Sequence, residues 1–220
     1  MLPDLRPQWR SLDFAALFKG GAAFINRDSQ ISILDPEGVL RHEDIWRGAR
    51  EQGGSLHNIL RLAAACRSKQ MPFLWLRYDR FIDESQPVTT MDAAQYGHWN
   101  KEYEGDEARK AWEADLVPEV KEIMAADDTT LVYPAWSIFS GTPIDRWLAQ
   151  WGARTLIISG YHTDWCVEMA VRSARDMGYM SVVIGDACGT TQSLHDQTLA
   201  QINDCYAPVI STSMAIEALA

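Results

Sequence analysis

Residues 154–187 read RTLIISGYHTDWCVEMAVRSARDMGYMSVVIGDA, a pattern with one natural structural reading. RTLIIS (154–159) is a short apolar run of the kind found in strands covered on both faces. It runs through Gly160 and a polar, aromatic turn into segment 165–177, where Val167, Ala170, Val171, Ala174 and Met177 share one helical face. Gly178 ends that helix, and MSVVIG (180–185) follows as a second apolar run. Strand, helix and strand in this order form a crossover between parallel neighbours.

The same alternation extends outward in both directions. AAFIN (22–26), PFLWLRY (72–78), TLVY (130–133) and APVIST (207–212) are further buried-strand candidates. Between them, Leu56, Ile59, Leu60 and Ala63 fall at helical spacing over 55–69. Segment 143–151 has Pro143 at its start, Asp145 close behind and Gly152 just past its end. A last helix is expected over 191–204. This pattern predicts an α/β chain with a parallel sheet between two helical layers. One domain over 1–220 is expected. The long polar and aromatic stretch 79–129, with Tyr96, His98, Trp99, Tyr103 and Trp112, reads as mixed helix and loop: either a lid or binding segment, or a plain surface excursion.

Composition narrows the function. The formal net charge is −10, with no basic stripe to follow a phosphate backbone, so nucleic acid is not an expected partner. No apolar run has the length of a membrane span, and the first residues, MLPDLRPQWRSLDF, lack the apolar core of a signal peptide. Cys66, Cys166, Cys188 and Cys205 are scattered, with no CxxC pair, as expected of free thiols in the cytoplasm.

In an open α/β sheet, ligands gather beyond the carboxyl ends of the strands. Asp28 follows strand 22–26, Tyr133 ends strand 130–133, and strand 154–159 delivers Cys166 to the first turn of a helix. Free N–H groups and the helix dipole there favour a thiolate, and the same N–H groups could hold an oxyanion. A small buried hydrophobe is the competing reading of Cys166, and the better one for the other three cysteines. Asp28 could take the thiol proton and return one to a leaving amine, or it could be a turn or helix cap.

Three motifs, in order, resemble the isochorismatase-like cysteine hydrolases. Asp28, Gln30 and LDPEG (34–38) match the family's opening. Ser137, Phe139, Gly141 and Thr142 match its middle segment. Gly160, Thr163, Cys166, Val167, Asp186 and Ala187 match its nucleophile segment, with His195 at the expected distance. The resemblance covers about residues 20–212. It implies a doubly wound three-layer sandwich on a six-stranded, mostly parallel sheet. It also implies thiolate attack by Cys166, acid/base work by Asp28, an oxyanion hole from the backbone N–H groups of His162 and Cys166, and a cis peptide between Tyr161 and His162.

Two departures from the family pattern stand out. The family places a catalytic lysine four residues before the serine of its middle segment, and here that residue is Tyr133. A tyrosine is neutral at pH 7 and offers a hydrogen bond without a charge. Either Tyr133 takes over the orienting part of the role, or another cation fills the space, with Arg77 the candidate, or activity is weak. Nicotinamidases of this family also carry an Asp-x-His metal cluster after the second strand. WLRYDRFIDES (75–85) has no histidine, His57 falls on a helix and His98 is isolated, so neither metal nor cofactor is expected.

The reading is an amidohydrolase cleaving a small amide, carbamoyl or ureido C–N bond, with Trp165, Tyr161, Arg77 and Gln30 as candidate substrate contacts. A homo-oligomer, dimer or tetramer, is expected. The alternatives are a weak or inactive family member serving as a binding or scaffold protein, and isochorismatase-like vinyl-ether hydrolysis using Asp28.

Overall fold

The computed structural model describes residues 2–78, 103–133 and 135–220. Six strands form one sheet: β1 (Ala22–Arg27), β2 (Phe73–Tyr78), β3 (Thr129–Tyr133), β4 (Thr155–Tyr161), β5 (Met180–Gly189) and β6 (Val209–Ile210). Their order is β3-β2-β1-β4-β5-β6, and every pairing between them is parallel. The order reverses between β1 and β4, which opens a crevice at their carboxyl ends.

Strand alternation divides the core between two helical layers. On β1, Phe24 faces helices Ser55–Ser68 and Thr212–Leu219, packing with Leu56, Ile59, Leu62 and Ala215. Ala23 and Ile25 face helices Ile144–Gln150, Glu168–Asp176 and Gln192–Cys205, packing with Leu148, Ala170, Val171 and Leu199. Both faces of the sheet are therefore covered, which is why the strands read as nearly continuous apolar runs.

Element ends differ from the sequence expectation for local reasons. The last strand is two residues, not six, because Ser211 caps the following helix by accepting from the Met214 N–H at 3.2 Å. β5 runs on to Gly189 because Cys188 and Gly189 pair with Gly160 and Tyr161, past a register shift. Within the stretch 103–129, helices span Glu107–Ala114 and Pro118–Ile123, while Tyr96, His98 and Trp99 lie outside the described residues. Among the described residues, no helix is long and apolar enough to cross a membrane.

Candidate active site

β1 delivers two charged residues to the crevice. Arg27 continues the face of Ala23 and Ile25 and is wholly buried, with 0% of its surface exposed. Asp28 follows in the left-handed region, at φ 52°, which aspartate tolerates better than most residues. Its N–H donates to the Leu76 carbonyl at 3.0 Å, and its own carbonyl accepts from Gln30 N–H at 2.7 Å. The turn beyond is pinned by Ile31 N–H to Asp115 O and Val117 N–H to Ser29 O, so Asp28 is held on both sides.

β4 supplies the other wall. Gly160, at φ 119°, sits opposite Arg27, and a Cβ there would lie 1.9 Å from the Arg27 carbonyl oxygen. Only glycine allows this approach of the two backbones. The Tyr161–His162 peptide is cis. Thr163–Val167 then forms a π-helical turn, closed by Val167 N–H to His162 O at 3.1 Å, before the α-helix starts at Glu168. Cys166 rides on this first turn, half-buried. Thr163 Oγ1 lies 2.9 Å from His195 Nδ1, which ties the turn to helix Gln192–Cys205.

Tyr133, at the end of β3, completes the cluster. Its hydroxyl donates toward both carboxylate oxygens of Asp28, at 2.9 and 3.0 Å, and accepts from an Arg27 N–H. Arg27 also donates to the Cys166 carbonyl at 2.8 Å, and Arg27 Nη2 stands 3.6 Å from Asp28 Oδ2. Arg27 thus ties the backbone of Cys166 and the carboxylate of Asp28 to one guanidinium.

Burial pushes the Asp28 carboxyl above its ordinary range, and Arg27, Cys166 and Tyr133 pull it only part of the way back. Burial also pushes the Cys166 thiol up, and Asp28 adds to this against Arg27 and the His162 N–H. The resting sulfur therefore carries its proton, the reverse of what its helix-start position alone suggests. Tyr133 is held well above the usual phenol range by burial, so its hydroxyl stays neutral. Burial works against charge on Arg27 too, but Tyr133, Asp28 and Cys166 keep it protonated. His162 is lowered by burial to about 4 and is neutral at pH 7.

The family model described as the isochorismatase domain matches residues 22–214. The chain belongs to the isochorismatase family. It is 27% identical over 211 residues to the ureidoacrylate amidohydrolase of Methylobacterium radiotolerans, covering 91% of this chain and 78% of that one. Among solved structures it is similar to a cysteine hydrolase from Pseudomonas syringae pv. phaseolicola, with a TM-score of 0.77, 18% identity and 99% and 97% of the two chains covered. It is also similar to N-carbamoylsarcosine amidase from Thermoplasma acidophilum, with a TM-score of 0.65, 18% identity and 87% and 96% covered.

In this isochorismatase-family chain Cys166, Asp28 and Tyr133 converge on Arg27. Trp165 packs on His162 at 5.2 Å and on Trp136 at 5.7 Å between ring centroids, forming an aromatic wall next to Cys166. Three other candidates are used elsewhere. Tyr161 is buried under helix Ser55–Ser68, its hydroxyl 2.8 Å from Ser55 Oγ. Gln30 spends its amide on the backbone, donating to Tyr78 O and Ala114 O and accepting from Tyr78 N–H. Arg77 shares the face of Phe73 and Trp75, opposite the face of Tyr133, and pairs with Asp115 at 3.4 Å.

The cation beside Asp28 is Arg27, which the sequence reading passed over by ending the first strand at Asn26. The signal was an arginine in the strand directly before Asp28, in FINRD (24–28). Among the described residues, no group of three or more histidine, cysteine, aspartate or glutamate side chains is placed to hold a metal ion.

Proposed function

We propose that this chain is an amidohydrolase that cleaves a small non-peptide C–N bond through an acyl-enzyme on Cys166. The observation that carries the reading is the convergence of Cys166 and Asp28 on one buried guanidinium, at the end of the sheet where the strand order reverses. Membership of the isochorismatase family and the likeness to a ureidoacrylate amidohydrolase support the reaction class. They favour an amide, carbamoyl or ureido substrate.

In this mechanism Asp28 takes the Cys166 proton as the sulfur attacks the carbonyl carbon. The oxyanion faces the backbone N–H groups of His162 and Cys166. Asp28 then gives its proton to the leaving nitrogen, the C–N bond breaks and a thioester remains. Water attacks the thioester while Asp28 takes the water's proton; the C–S bond breaks and Asp28 passes that proton to the leaving sulfur, restoring thiol and carboxylate. Tyr133 holds the Asp28 carboxylate in one orientation without adding charge. The Trp136–Trp165–His162 wall would receive the flat acyl portion.

Ammonia or amine release over a panel of small amides, ureas and N-carbamoyl amino acids tests this, with Cys166→Ala as the control. Turnover that Cys166→Ala loses is the expected result. Turnover retained by Cys166→Ala would point to hydrolysis by Asp28 alone, and silence across the panel would favour a binding protein.

A further inference from the structure

The positive charge of the site stands on a different strand from the one the family pattern points to. Tyr133 occupies the end of β3, and the charge arrives from β1. Arg27 has no exposed surface, and its guanidinium stays ionised at any pH the fold meets. A buried charge needs partners for its donors. Here the two Nη groups donate to the Tyr133 hydroxyl, the Cys166 carbonyl at 2.8 Å and the Trp136 carbonyl at 3.4 Å, with Asp28 Oδ2 at 3.6 Å as counter-ion, while Nε has no partner among the described residues.

The Tyr133 hydroxyl has one proton, which points to Asp28, so toward Arg27 it can only accept. The direction of the chain is thereby fixed: guanidinium to hydroxyl to carboxylate. The same guanidinium also grips the backbone of the residue that bears the thiol. A surface arginine could not do this, and Arg77, on the opposite face with Asp115, does not.

We propose that Arg27 is the positioning residue that supplies this site's positive charge, acting through the Tyr133 hydroxyl on Asp28 and through the Cys166 carbonyl on the nucleophile's turn. The Arg27–Tyr133 pair thus divides between two strands the charge and the hydrogen bond that one lysine on β3 would provide. The inference rests on Cys166 and Asp28 being the reacting pair, and it adds the group that sets their protonation.

Among the described residues, the charged and titratable groups around the thiol are Asp28 and Arg27 from β1 and Tyr133 from β3. Arg27 favours the ionised forms of both Cys166 and Asp28. Its removal should therefore move both titrations to higher pH.

The test is the pH dependence of Cys166 alkylation by iodoacetamide, which needs no substrate and so stands apart from the proposed reaction. It is read by peptide mass in wild type, Arg27→Met, Arg27→Lys and Arg27→Met/Tyr133→Lys, with folding checked by near-UV circular dichroism. Arg27→Met should move the profile up by about one pH unit or more, the scale of losing an adjacent opposite charge. Arg27→Lys should recover part of the shift. Arg27→Met/Tyr133→Lys, which returns the charge from β3, should bring the profile back toward wild type. A folded Arg27→Met with the wild-type profile would overturn the proposal. If Arg27→Met does not fold, the double variant decides: a near-wild-type profile supports the proposal, and one still displaced by about a unit or more overturns it. A site that alkylates as expected yet turns over no amide would leave Arg27 in place and remove only the assigned reaction.

Discussion

The Tyr133 hydroxyl lies 2.9 and 3.0 Å from the two oxygens of Asp28, so its single proton is shared across the carboxylate. This fixes the plane of the carboxylate without adding charge. A neutral group at this position therefore orients the carboxylate.

Tyr133→Phe should keep the fold, because the ring is packed in the core and only the oxygen is lost. It should cost about 1–3 kcal/mol in kcat/KM, the scale of a buried hydrogen bond to a charged group. The Arg27 N–H that donates to this hydroxyl would lose its acceptor, so the thermal midpoint should fall together with turnover. Unchanged turnover would reduce Tyr133 to packing.

The pH profile should be shifted at both ends. Asp28 must be ionised to act as a base, and burial holds its pKa above 3.8, so activity should fall with decreasing pH through a limb above the ordinary aspartate range. Cys166 is raised by burial and by Asp28, so its alkylation should keep climbing from neutral to alkaline pH. An acid limb at or below 3.8, or a thiol fully reactive at pH 6, would contradict this electrostatic balance.

Gly160→Ala should destabilise the chain by about 3 kcal/mol, the upper end for overpacking. Its Cβ would lie 1.9 Å from the Arg27 carbonyl oxygen, a backbone atom of the adjacent strand that no rotamer change can move aside. Gly141→Ala is the comparison, since nothing lies within 4 Å of a Cβ there although its φ is also positive. Equal melting temperatures for the two variants would show that β1 and β4 can separate at this point.

The fold was readable because a sheet covered on both faces leaves apolar runs with helical periodicity between them, as in 154–187. Short helices such as Ile31–Leu34 and Glu43–Ala49 were not, since elements of four and seven residues give too few turns for a period to show. Motif spacing singled out Cys166, Asp28 and Tyr133, which the fold brings together around Arg27. It could not separate Arg27 from Arg77: both are arginines near the end of a strand, and only the register decides which face each takes. Gln30 and Tyr161 sit in or beside motif positions, and sequence does not reveal that backbone groups and Ser55 already occupy their polar atoms. The raised thiol has the same origin, because helix-start chemistry is local while the burial and the Asp28 charge come from the fold.

If Cys166 carries the acyl group, mass spectrometry of enzyme quenched in acid during turnover will detect it. A ureido, carbamoyl or amide substrate found by ammonia release should leave an adduct equal to its acyl portion, mapped to the peptide containing Cys166 and absent from Cys166→Ala. Cys66→Ala should form the same adduct, because Cys66 is buried among Leu62 and Ala63, away from the crevice. Turnover by Cys166→Ala at the wild-type rate, with no adduct on Cys166 in the wild type, would contradict the account.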